Sequence, residues 1–164
     1  MSERDTDSEE QINWRTIGVK RERKYEELIT RLNTGQKSIF QYLKDLMVFA
    51  AMVGHSEGKR EEVKGETIEI ILETYASDQK DGFIYLLALM DSRDGVSLKD
   101  SNLHSSVKVF EEYCNAGLGI IQGWLDDNPG DPSGVDTILA NVYEKLCENE
   151  VEDDVDNEDI SIDI

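Results

Sequence analysis

The sequence predicts an all-α protein, a compact single-domain bundle of about five to six helices followed by an acidic disordered C-terminal tail. Three observations predict it. Only two prolines occur in 164 residues, among many Leu, Ile, Glu and Lys. Apolar residues recur at helical spacing in several separate segments. One stretch, SIFQYLKDLMVFAAMVGHSEGKR (Ser38–Arg60), contains eight consecutive residues, Leu46–Val53, without a polar side chain. That run is far short of the ~20 residues a membrane span needs, so it belongs to a protein core. A chain of this length makes one domain and buries roughly two-thirds of its unfolded surface. The boundaries expected are a polar, partly disordered arm over 1–18, a helical domain over 19–148 and an acidic tail over 149–164.

Within the arm, Ile12, Trp14 and Ile17 are the available anchors, and Trp14 is expected to dock onto the domain. From Lys20 to Leu32, the residues Tyr25, Leu28, Ile29 and Leu32 mark a first amphipathic helix. Its outer face would carry Lys20, Arg21, Arg23, Lys24 and Arg31, broken by Glu22, Glu26 and Glu27. That is either a solvated face with i,i+4 pairs or a phosphate-contacting patch. After the turn Asn33–Gln36 comes the central helix, with Tyr42, Leu46, Phe49 and Val53 on one face and Gly54 as its stop. The charged loop with Glu57, Lys59 and Arg60 then emerges at the surface.

Thr67 opens TIEIILETYA, where Ile68, Ile71, Leu72 and Tyr75 mark a helical face, although the isoleucines leave a strand open. Asp81 is placed to cap GFIYLLALMDS, which is apolar nearly all round and is expected against the central helix. Ser101 or Asn102 caps the longest helix, Leu103 to about Asp126, with Leu103, Val107, Phe110 and Cys114 as its core stripe. Gly117, Gly119 and Gly123 then either admit another backbone or break the helix near Ala116. Pro129 and Pro132 end it, and Val135, Leu139, Val142 and Leu146 set out a last amphipathic helix. From Glu148 onward nine acids occur with no base, a composition that cannot offset ordering entropy, although Ile160, Ile162 and Ile164 alternate as a strand would.

The formal net charge is −19, and it is unevenly placed. Residues 1–64 hold 12 Lys and Arg against 12 Asp and Glu, whereas residues 65–164 hold 5 against 24. Such a field repels nucleic acid overall, so DNA contact would have to use the N-terminal part locally. A solvated acidic surface, a partner-binding or DNA-mimicking face and the acidic tail are the competing explanations. The polar opening MSERDTDSEE contains no export signal or membrane anchor, so a cytoplasmic location is expected.

Catalytic patterns are weak. Cys114 and Cys147 lie far apart without a CxxC, which favours free buried thiols. GHSEGKR (Gly54–Arg60) is one residue short of a phosphate-binding loop, lacks the Ser or Thr after Lys59, and follows a helix where a strand is required. GLGIIQG (Gly117–Gly123) fails the dinucleotide fingerprint on spacing and context, leaving helix packing. His55 and His104 have no neighbouring Cys or second His, which argues against a metal site. The acid pairs Glu111–Glu112 and Asp126–Asp127 diverge on a helix and cannot line one cleft as neighbours. No enzyme, cofactor or metal is expected.

YLKDLMVFAAMVGHSEGKRE (Tyr42–Glu61) and VFEEYCNAGLGII (Val109–Ile121), with FIYLLALMDS between them, resemble the Dnd system-associated protein 4 family. Its members sit beside bacterial and archaeal genes for DNA phosphorothioation, which replaces a non-bridging phosphate oxygen by sulfur, and whose companions restrict unmodified DNA. The resemblance spans roughly residues 20–145. Gly58, Lys59 and Arg60 match the charged loop after the central helix, and Glu111, Glu112, Tyr113, Gly117 and Leu118 match a second signature. The family brings no established catalytic residues. Cys114 stands where a small residue such as alanine is expected, and the acidic tail looks additional.

The resemblance therefore implies a non-catalytic accessory or adaptor protein of a phosphorothioation-linked restriction and antiviral defence system. Its partners would be other proteins of that system, with DNA contact through Lys20, Arg21, Arg23, Lys24, Lys59 and Arg60 as a secondary expectation. An acidic DNA-mimicking inhibitor is the alternative, and a small metal-dependent hydrolase or nuclease a further one.

Overall fold

A computed structural model describes residues 13–35 and 38–158, the side chains being described up to Glu148. The described residues form six α-helices, a two-stranded antiparallel sheet and four short 3-10 turns. The mostly helical expectation holds. The N-terminal anchor Ile12 and the alternating Ile160, Ile162 and Ile164 lie outside the described residues.

The sheet corrects two expected helices. Strand β1 spans Gly18–Glu22 and pairs with β2, Thr67–Ile71, in the register Gly18↔Ile71, Lys20↔Glu69 and Glu22↔Thr67. Period two replaces period 3.6 here: Val19 and Arg21 are buried, Lys20 is exposed, and Ile68 and Ile70 stand opposite the two buried positions. The helical spacing read from Lys20 onward starts only at Tyr25. Helix α1, Glu26–Asn33, buries Leu28, Ile29 and Leu32. Trp14 lies in the 3-10 turn Trp14–Thr16 beside α3 and remains 38% exposed.

Helix α2 runs Leu43–Ser56, shorter at its start than expected, and Tyr42 sits just outside it, exposed. Gly54 does not stop the helix. It lies buried against α5, Leu103–Asp126, and the turn falls instead to Gly58, at φ +60°. The α2–α5 seam is the centre of the molecule. A Cβ on Gly54 would overlap the Tyr113 carbonyl oxygen, and one on Gly117 would overlap the Ala50 carbonyl oxygen. The two backbones therefore cross at a glycine from each helix, and α5 continues unbroken past Ala116. Its expected stripe, Leu103, Val107, Phe110 and Cys114, is fully buried.

Short α3, Leu72–Ala76, sets Tyr75 edge-on to Phe110. Helix α4, Asp81–Ser92, packs mainly on α5 and not on the central helix. Only Ile84, Leu87 and Ala88 are buried, while Leu86 and Met90 stay outside. Its N-cap position is Lys80, not Asp81, and α5 begins after Asn102, whose side chain bonds the Val96 carbonyl instead of capping the helix.

Helix α6 runs Val135–Glu158, so the backbone is helical well past the expected tail boundary. The Asp131 carboxylate anchors its start by accepting the Gly134 and Thr137 N–H groups and the Ser133 hydroxyl, which holds its pKa down to about 2. The expected stripe is corrected here. Ile138 is buried and Val142 half-buried, whereas Leu139 is 62% and Leu146 57% exposed.

Candidate functional site

The charged segment Glu57–Glu66 between α2 and β2 is irregular but held at nearly every turn. Its start folds back as the Lys59 N–H donates to the Gly54 carbonyl, and the Glu61 N–H donates to the Glu112 carbonyl on α5. Further on, the Lys64 N–H donates to Glu22, and the Arg23 N–H to the Glu66 carbonyl. Asn115, 1% exposed, reaches out of α5 with its side-chain amide to Glu22 (3.0 Å) and to the Glu61 and Glu62 carbonyls. Burial would raise the Glu22 carboxyl, but hydrogen bonds from Lys24, the Lys64 N–H and Asn115 outweigh it and leave the group below its ordinary range.

Arg60 is the second fixed point. Its guanidinium donates to Glu112 from Nε (2.9 Å) and Nη2 (2.5 Å) and to Asp91 from Nη1 (2.7 Å). It also lies over the Tyr113 ring, 5.5 Å from the centroid, while the Tyr113 hydroxyl donates to the other Asp91 oxygen at 2.8 Å. One arginine thus joins the loop to α4 and α5. His55 meets the same tyrosine edge-on.

The six cations singled out in the sequence do not form one patch. Arg21 is 4% exposed on the inner face of β1, pairs with Glu26 at 2.8 Å, and does not stand on an outer helical face. Strand alternation turns it inward. Lys24 pairs with Glu22 at 2.5 Å, which pushes its ammonium up to about 12, and also faces Glu61 at 3.7 Å. Arg23 is exposed and lies 3.4 Å from Glu66. Arg60 is committed as described. Lys20 and Lys59 are exposed and make no ion pair among the described residues. Arg31 donates to the carbonyls of Asp131 and Pro132.

Between β1 and α5 lies an open cleft of about 340 Å³, bordered by Lys20, Glu62, His104, Lys108, Glu111 and Glu112, so that, contrary to expectation, both members of the Glu111–Glu112 pair line one cleft. Burial pushes the Glu111 carboxyl up, even though it accepts the Lys20 N–H at 2.6 Å. Carboxylates outnumber the cations, so the cleft does not favour an anion. Among the described residues no group of three His, Cys, Asp or Glu side chains is placed to hold a metal ion. Both cysteines are free: Cys114 is buried, with its thiol pKa pushed up by burial, and Cys147 is half-buried. None of the helices is long and apolar enough to cross a membrane among the described residues.

The family model for DNA sulphur modification system-associated protein 4 matches residues 18–160. The chain belongs to that family. The match takes in the glycine seam, the Glu57–Glu66 loop and α6, so most of the acidic stretch that looked additional falls inside the family's span. No curated protein and no solved structure matches the chain. Glu112 and Tyr113, from the second signature, prove to hold Arg60, from the first, so the two motifs meet in space. Sequence reasoning missed Asp91, Glu22 and Asn115 as members of this assembly. A buried asparagine inside the apolar α5 stripe was the available signal.

Proposed function

We propose that the protein is a non-catalytic adaptor of a DNA sulphur modification system and acts by binding other proteins of that system. Family membership supports the setting. The observation that carries the mode of action is the neutralised loop: Arg60 lies between Asp91 and Glu112, and Lys24 between Glu22 and Glu61. A DNA-binding surface needs cations free to release counterions from phosphates. Here the cations are engaged in fixing the loop, leaving Lys20 and Lys59, with Arg23 in an exposed pair with Glu66, around a mixed-charge surface suited to a protein partner. Restriction and antiviral defence are the biological setting this reading implies, and the cytoplasm its compartment.

The test uses each purified protein of the accompanying system, together with labelled duplex DNA, plain and phosphorothioated. A complex with at least one protein is expected, with no anisotropy change for either duplex at physiological salt. Lys20→Glu with Lys59→Glu should weaken the protein complex. Tight duplex binding with no protein complex would overturn the adaptor reading.

An acidic DNA mimic is a second reading, favoured by the helical continuation of α6 through the acid-rich stretch to Glu158. Displacement of the protein from its partner by plain duplex DNA would favour it.

A further inference from the structure

Helix α6 has two faces. One docks on the body through Ile138 and Val142, and the ion pair of Lys145 with Glu57 ties it to the end of α2. The adjoining face, about a quarter-turn further round the helix, carries Leu139, Tyr143 and Leu146, exposed by 62%, 70% and 57%. Their spacing, i, i+4 and i+7, puts them in one line along the helix. Three large apolar side chains in register, on a helix already attached by its other face, have the layout by which a helix enters a partner's groove.

Charge says what kind of partner fits. Asp136 borders the line, Glu144 and Glu148 lie further round the same helix, Asp126 and Asp127 end the neighbouring helix, and from Leu146 to Glu158 the helix contains seven acids and no base. A second copy is a poor occupant. Antiparallel pairing about Tyr143 would lay the acid-rich half of one α6 beside Asp126, Asp127, Asp131 and Asp136 of the other, and parallel pairing would bring the two acid-rich halves together. Acids at contact distance repel inside the Debye length of about 8 Å at physiological salt. A complementary surface has an apolar groove for the three side chains and Lys or Arg along its rim.

Resting on the adaptor reading above, we infer that Leu139, Tyr143 and Leu146 of α6 form the docking edge for a basic-rimmed apolar groove on another protein of the sulphur modification system. Tyr143 sits at the centre of the line and is the principal anchor.

The experiment measures, by calorimetry across a salt series, the affinity of the full chain for each purified protein of the accompanying system. It is repeated with Leu139→Ser/Tyr143→Ser/Leu146→Ser and with Glu144→Lys/Glu148→Lys. Because the substituted side chains are exposed, circular dichroism and melting of both variants should match the wild type. Weakening of roughly 30-fold or more by the apolar variant is expected. A wild-type affinity that falls with salt, more steeply than that of the charge variant, is the second expected result. Unchanged affinity in the apolar variant, with a complex that still forms, would overturn this inference and leave the adaptor reading standing. A wild type that binds none of the proteins overturns both. Sedimentation showing a wild-type dimer that the apolar variant abolishes would assign the line to self-association and overturn the inference as well.

Discussion

Helices α5 and α6 are each 24 residues long, and they lead opposite lives. Twelve residues of α5 are buried, among them Gly117, Cys114 and Asn115, whereas among the described side chains of α6 only Thr137 and Ile138 are. The difference is not in helix length or regularity. On α5 small and apolar residues occupy the side that meets α2, so that the two backbones come close enough for glycine alone. On α6 the apolar residues are divided between two faces and the remainder is mostly acidic, so its order comes from a polar anchor at one end and a narrow strip of contact. A buried helix holds a fold together, and a half-attached one is available to something else.

Inserting the same side chain in both helices gives the sharpest contrast. Gly117→Leu should cost about 3 kcal/mol or more, because the added atoms meet the Ala50 backbone, which cannot yield as a side chain would. Ala140→Leu, at an exposed position of α6, should stay within about 0.5 kcal/mol. Urea denaturation of the two variants measures both, and equal effects would erase the distinction between the helices.

The polar side of α5 gives the next effect. Glu22→Gln should cost about 1–2 kcal/mol at pH 7, since Asn115, Lys24 and the Lys64 N–H all donate to that buried carboxylate. Its folded pKa lies below the ordinary value, so its contribution is complete above a pH of roughly 4.3 and is lost as pH falls through the lower, folded value. Wild-type Tm should therefore decline more steeply than that of Glu22→Gln below about pH 5. Parallel curves would remove Glu22 from the account.

The smallest effect is confined to α6. Asp131→Ala should speed amide exchange at Gly134 and Thr137 while leaving α5 protected. In the wild type the same protection should be complete above a pH of roughly 3.9 and be lost as pH falls from there through about 2, the value to which its hydrogen bonds hold the folded carboxylate. Simultaneous loss in α5 would mean that the two helices unfold as one unit.

The extent of the helices was legible where one face alternates cleanly with solvent. The bounds of α5 follow from Leu103, Val107, Phe110 and Cys114 and from the prolines after Asp126, and Tyr25, Leu28, Ile29 and Leu32 locate the first helical face. The glycines of α5 could be read as a site of close approach or a break, and packing against Gly54 selects the first. Cationic residues could be counted but not sorted. Nothing local separates Arg21, turned inward by strand register, from Lys20, turned outward, because the pairing of residues 18–22 with 67–71 is a contact across more than forty positions of chain.

By itself, then, the sequence determined the helical class, the apolar core run from Leu46 to Val53, the charge asymmetry and the family motifs. These are set by composition and short-range periodicity, which each segment carries with it. Only the tertiary structure decided that GHSEGKR and EEY meet through Arg60, that Glu22 and Asn115 pin the loop, and that Leu139, Tyr143 and Leu146 are left outside. Which face of a helix is covered depends on the neighbours that reach it, and for α6 the body supplies a partner for only one of its two apolar lines.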